Sequence, residues 1–152
     1  SKIHPVKRLI DAGKDKDVSA VLLFRKVDDP ERHGVPTLEK ISNKKFIVKK
    51  VVEKPKKPSS NLGLMPIYYF KPKIFEKLKK IKLGKGNEFQ LTDAIQELIS
   101  SGEKVLAIPL LDKEKVLDVG TVESYMASQI TSFRYVWFLI SSSKNRIWRL
   151  EL

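Results

Sequence analysis

The chain has 152 residues, 41% hydrophobic and 32% charged, a balance that suits one globular domain and excludes a disordered tract. It has no cysteine, which excludes disulfides and thiolate metal sites, and a formal net charge of +12, whose field attracts anions such as nucleic acid, nucleotides, sugar phosphates or acidic lipid. No apolar run reaches the ~20 residues of a membrane helix and SKIHPVKRLI lacks an apolar signal core, so the expected location is the cytoplasm. Lys and Glu enrichment without cysteine is also a thermophile-like habit.

In chain order, Val6–Ala12 has a short helical pattern that ends at Gly13. Asp17–Val27 is an apolar, β-branched run suited to a strand buried on both faces. Asp28–Pro36 is dense in turn formers and reads as a loop, and Lys44–Lys54 alternates loosely as a strand. Lys54–Ser60 is a connector, and Leu64–Phe70 the next strand. Pro72 is expected to open a helix over PKIFEKLKKI, with Ile74, Phe75, Leu78 and Ile81 on one face. After the loop Lys82–Phe89, Thr92 suits the cap of a helix over Asp93–Gly102. Lys104–Leu111 is another strand. KVLDVGTVESYMASQI passes from a strand end into a helix whose first turn suits Thr121 and Ser124. The tail Phe133–Leu152 carries both tryptophans and is read as two strands around Ser-Ser-Ser-Lys-Asn. This alternation predicts an α/β fold: a mixed, mostly parallel, Rossmann-like sheet flanked by helices. The domain reading is residues 1–132, then a tail of 133–152 that forms a β-hairpin or an association element.

In such sheets ligands sit at the carboxyl ends of strands. Glu53, Asp118 and the His33-Gly34 loop all fall at strand ends or just beyond. At Glu53-Lys54 a carboxylate can accept sugar hydroxyls and an ammonium can hold a phosphate. Strand neighbours point to opposite sides, so both reach one ligand only where the strand ends, and Pro55 suits an ending. On its own the pair reads first as a solvated loop. Glu88 alone reads as an exposed loop acid. Asp118 could cap the next helix, or bind Mg²⁺, which takes one or two carboxylates plus phosphate oxygens. His4 and His33 lack metal-ligand spacing.

Together, HGV, VVEKPKKPSSNL, IYYFKPKIFEKL, GNEFQLTDAIQELI and LDVGT resemble, in order and spacing, the sugar-1-phosphate nucleotidylyltransferases, with glucose-1-phosphate thymidylyl- and uridylyltransferases nearest. The resemblance runs from about Val18 to Ser128. It implies transfer of a nucleotidyl group from dTTP or UTP to a sugar 1-phosphate, with pyrophosphate released. It implies that Gly34 offers its backbone to the sugar, Glu53 binds sugar hydroxyls and Lys54 the phosphate. Leu64 and Tyr68 would line the pocket, Glu88 would lie near it, and Asp118 would hold Mg²⁺. This sequence departs from the family at His33 (family Tyr), Met65-Pro66 (Thr-Gly), Val116-Leu117 (an aromatic) and Val119 (Thr).

The family's glycine-rich G-x-G-T-R loop, which cradles the triphosphate and supplies a catalytic Arg, does not occur in these 152 residues. Nor does its G-D motif with a second metal Asp. The expectation is therefore a carboxyl half that supplies the sugar-phosphate site and one metal site, with no catalytic residue of its own. It would form a homo-oligomer or pair with a nucleotide-binding chain. The competing readings are a non-catalytic sugar-phosphate or nucleotide-binding remnant, and a basic nucleic-acid binder. The last is disfavoured because the lysines are spread among Glu and Asp.

Overall fold

The computed structural model describes residues 4–84, 87–112, 114, 116, 117 and 119–142. The chain divides into two compact units, Ser1–Glu114 and Lys115–Leu152.

The first unit is a five-stranded sheet with helices. Helix α1 (Pro5–Gly13) has a proline in its first turn, and its leading N–H, from Val6, donates to His4 Nδ1. It leads to β1 (Val18–Lys26), whose first seven residues are all buried, as a strand covered on both faces requires. A 3₁₀ turn (Pro30–Arg32) precedes β2 (Gly34–Ser42) and β3 (Lys45–Glu53), which form an antiparallel hairpin across Asn43-Lys44. Lys44 makes that turn at φ 67°. Strand β2 takes in ground expected to be loop. Its signal is weak because Pro36 and Thr37 interrupt the alternation and its second half is mostly exposed.

Strand β4 (Leu62–Phe70) pairs antiparallel with β1, with a register shift that leaves Pro66 and Ile67 without partners. Proline has no N–H for the ladder, so a bulge on a border strand is where it fits. Helix α2 (Ile74–Leu78) is much shorter than the expected helix from Pro72. Ile74 is buried and Leu78 and Ile81 pack on the core, but Phe75 is 64% exposed. The spacing 74, 78, 81 keeps one face, and Phe75 lies about 100° round from Ile74. Helix α3 (Leu91–Ser100) precedes β5 (Lys104–Pro109).

The sheet order is β2-β3-β5-β1-β4. It is mixed, as expected, but antiparallel pairs outnumber parallel ones: only β1 and β5 run parallel. Only β2 and β3 are joined as a hairpin; the other neighbours are not consecutive in the chain, and the helices α2 and α3 lie in the long link from β4 to β5. An apolar cluster joins Ala20, Leu22 and Phe24 of β1 to Val48, Val51, Ala107 and the α3 residues Ala94, Ile95 and Leu98. Ala107, between Leu22 and Phe46 in the pairing, leaves room for Phe24 and Phe46 to meet edge-to-face at 5.4 Å.

The second unit contains α4 (Val122–Ser142), opened by a reciprocal cap: Ser124 N–H donates to Thr121 Oγ1 and Thr121 N–H to Ser124 Oγ. The expected first strand of the tail is helix as far as Ser142. Its aromatic and β-branched content suggested a strand, but a capped helix already under way continues at little cost, since nucleation is the costly step. Residues 143–152 lie outside the described residues. Val116 and Leu117 carry no strand, contrary to the expected strand end there, and Asp118 lies outside the described residues. Among the described residues no helix is long and apolar enough to cross a membrane.

Candidate functional site

Strands β2 and β4 occupy opposite borders of the sheet, yet their first residues approach each other. Glycines permit this. A Cβ on Gly63 would lie 3.0 Å from the His33 ring, and one on Gly34 would lie 3.4 Å from Leu64 Cδ1. Gly34 pairs with Glu53 at the far end of β3. The first residue of one strand and the last of another, with the buried Leu64, therefore form one lip.

Glu53 is held there by α3. Thr92 Oγ1 donates to Glu53 Oε2 at 2.8 Å. Helix α3 starts at Leu91, so Thr92 is not its cap but a buried first-turn residue, 6% exposed. The sequence carried a signal for this: with a helix from Leu91, Thr92 shares a face with Ile95 and Ile99. One turn on, Gln96 Oε1 accepts the Val51 N–H, so two polar residues of α3 serve the end of β3.

Lys54 takes φ 41°, a left-handed conformation that costs a non-glycine residue on the order of 1–2 kcal/mol. Its N–H donates to His33 O at 2.9 Å, which fixes the bend. A continuing strand would send Glu53 and Lys54 to opposite faces. Here Lys54 Nζ lies 3.7 Å from Glu53 Oε1. The ammonium is half-exposed, so this pair holds the carboxylate weakly, about 0–1 kcal/mol. A hydrogen bond to a charged group is stronger, about 1.5–3 kcal/mol. Thr92 therefore sets the orientation, and Oε1 is the oxygen that faces the ammonium.

Tyr68, half-buried on β4, completes the cluster. Burial raises its phenol above the usual tyrosine range, and the Glu53 charge pushes the same way. It stays a neutral hydroxyl, able to donate. His33 is tied to Asp29, with Nε2 and Oδ1 3.2 Å apart. Glu88 stands exposed in the loop after α2, its carbonyl accepting from Gly84, and the described contacts do not draw it into this cluster. The structure thus gathers Gly34, Glu53, Lys54, Leu64 and Tyr68, adds Thr92, and leaves Glu88 apart.

A family model described as nucleotidyl transferase matches residues 4–132. The chain belongs to the nucleotidyl transferase family. Among solved nucleotidyl transferases, a UDP-glucose pyrophosphorylase complexed with UDP-glucose is 28% identical at a TM-score of 0.77, covering 89% of this chain and 52% of that one. The UTP–glucose-1-phosphate uridylyltransferase 1 of Staphylococcus saprophyticus is 33% identical over 122 residues, 69% of this chain and 41% of that protein. That of Bacillus subtilis is 36% identical over 88 residues, 55% of this chain and 30% of that protein. The chain spans 25% to 44% of the length of the curated relatives it matches.

Proposed function

We propose that this nucleotidyl transferase chain serves transfer of a nucleotidyl group from UTP or dTTP to a sugar 1-phosphate, glucose 1-phosphate foremost, with pyrophosphate released. Its own part is the sugar-phosphate site. The observation that carries this reading is the lip itself: a carboxylate fixed by Thr92, with an ammonium bent onto the same side 3.7 Å away. The relatives whose names contain UTP and glucose 1-phosphate support the substrate pair.

In this reading Glu53 accepts hydrogen bonds from sugar hydroxyls, and Lys54 holds the sugar's phosphate as a point charge. Gly34 brings its backbone against the sugar, and Leu64 and Tyr68 wall the pocket. An oxygen of the held phosphate attacks the α-phosphorus of the triphosphate, and the bond to the β-phosphate oxygen breaks. Such transfers depend mostly on positioning and charge stabilisation. This chain supplies the positioning of the nucleophile. Among the described residues no three His, Cys, Asp or Glu side chains converge on a metal position. The family resemblance assigns Mg²⁺ to Asp118, with substrate phosphates completing its shell, where it would neutralise developing charge. Glu88 is assigned to the pocket's outer approach. The triphosphate cradle has no counterpart in these 152 residues, and we assign it to residues outside them, in the same protein or a partner chain.

Calorimetry with glucose 1-phosphate is the first test. Wild type should bind, and Glu53→Ala and Lys54→Ala should each bind at least about tenfold more weakly. A wild type that ignores glucose 1-phosphate overturns the reading. Pyrophosphate release with Mg²⁺ and UTP or dTTP, with Asp118→Asn as control, then separates turnover from binding alone. The missing glycine-rich loop favours binding without turnover in these 152 residues by themselves.

A further inference from the structure

The turn that joins β1 to β2 carries two polar side chains to which the sugar lip assigns no role, Asp29 and His33. His33 follows the 3₁₀ turn Pro30–Arg32, and its N–H donates to Pro30 O at 3.1 Å. Its ring Nε2 lies 3.2 Å from Asp29 Oδ1. A carboxylate only accepts, so this nitrogen carries the hydrogen. The ring also lies against Gly63, where a Cβ would come within 3.0 Å of its Cγ and of both Val27 methyls. The glycine leaves the ring its slot.

The carbonyl of the same residue meets the bend at Lys54. His33 O accepts the Lys54 N–H at 2.9 Å, and Lys54 takes φ 41°. The left-handed conformation disfavours a lysine by an amount of the same order as one neutral hydrogen bond contributes. The position of this carbonyl therefore bears on how fully the bend is populated. The bond to Pro30, the bond to Asp29 and the wall at Gly63 restrain His33 from three directions. Arg32 Nη1 stands 3.8 Å from the other Asp29 oxygen and is well exposed, so it adds little. A tie that served only the turn would end within the turn. This one reaches two strands of the lip: the ring touches β4 at Gly63, next to Leu64, and the carbonyl meets the chain at the end of β3, next to Glu53.

We propose that Asp29 and His33 are positioning residues for phosphate recognition: they fix the carbonyl that holds Lys54 in its left-handed bend, and so aim the Lys54 ammonium at the sugar's phosphate. The proposal rests on the reading of Lys54 as the residue that holds this phosphate. Neither side chain touches the ligand. Each acts through Lys54, so its effect exists only while the Lys54 ammonium is there to be aimed.

Hydrogen exchange in the 152-residue chain, read by NMR, tests the restraint without any ligand. Asp29→Ala and His33→Leu should speed exchange of the Lys54 amide about tenfold, while the Val51 amide, bonded to Gln96, stays within about threefold of wild type. His33→Gln keeps a donor near the Nε2 position and should exchange as wild type does. Calorimetry with glucose 1-phosphate then tests the consequence. Asp29→Ala and His33→Leu should each weaken binding about threefold to tenfold. In a Lys54→Ala background the same changes should add less than about twofold, because their effect passes through Lys54. A general loss of structure would instead weaken both backgrounds alike. A Lys54 amide that exchanges at the wild-type rate in both variants overturns the proposal, as does an equal loss of binding in both backgrounds. A wild type that ignores glucose 1-phosphate overturns the phosphate reading of Lys54 instead, and the exchange comparison still decides whether Asp29 and His33 hold the bend.

Discussion

Strands β1 and β3 are both nine residues long and belong to one sheet, but they use their residues differently. Seven consecutive residues of β1 are buried, between neighbours on both edges and apolar layers on both faces. In β3 only two residues are fully buried, and its pairing with β5 is limited to Phe46 and Ile47. Beyond them the Val51 N–H turns to Gln96 of α3 instead of a strand. A strand used wholly for packing has no side chain to spare for a ligand. One that leaves the ladder early can end in a carboxylate and an ammonium. The comparison separates what holds the fold from what the fold presents.

The largest effect that sharpens this comparison is Leu22→Ala. Leu22 is fully buried at the centre of β1, and such truncations cost about 2–5 kcal/mol. Thermal denaturation should show this, and a loss below about 1 kcal/mol would mean that β1 is not the spine. At the other strand, Glu53→Ala should lower the melting temperature less than Leu22→Ala, through the lost Thr92 bond, yet weaken glucose 1-phosphate binding by about tenfold to a hundredfold, the worth of a charged hydrogen bond. A variant that melts early but binds normally would reverse the assignment.

Thr92→Val keeps the shape and removes the hydroxyl. It should weaken binding about fivefold to tenfold, with Thr92→Ser close to wild type. Equal binding by the Val variant would show that Thr92 does not orient Glu53. Lys54→Gly relieves the left-handed backbone while removing the ammonium. Stability should rise by up to about 1 kcal/mol as binding is lost, so the two quantities move in opposite directions.

The smallest effect lies at the start of β1. The Glu103 carboxyl is held below the usual glutamate range, first by Lys73 and then by the buried Ser19 hydroxyl, which donates to it. A depressed carboxyl contributes stability above its unfolded value and loses it as pH falls through the folded one. Glu103→Gln should therefore be slightly less stable than wild type near neutral pH. The two curves should converge in acid, below the ordinary glutamate range.

Strong patterns were legible in the sequence. The β1 run, the face of α3 and the cap at Thr121 could be read because burial and hydrogen bonding there follow local periodicity. The strand β2 could not, since its register comes from β3 and its own alternation is broken. Glu53-Lys54 was recognisable as a pair that needs a strand end, but the sequence does not announce a lysine at positive φ. Thr92 was misplaced by two positions: the cap is Gln90. Ser, Thr and Asp before an apolar run look alike whether they cap a helix or face inward, and only the partner distinguishes them. The hairpin expected from Phe133 failed because propensity is a weak prior against a helix already nucleated.

The placement of the prolines has one more consequence. Pro36 lies within β2 and Pro66 within β4, the two border strands in the order, whereas β1 and β3 contain none and β5 has one only as its last residue. An incoming strand at either border would meet a residue with no N–H to offer and, at β4, a bulge that bends the chain away. Both borders are thereby poorer templates for strand addition. Replacing either proline with valine should make that border a better template for an added strand.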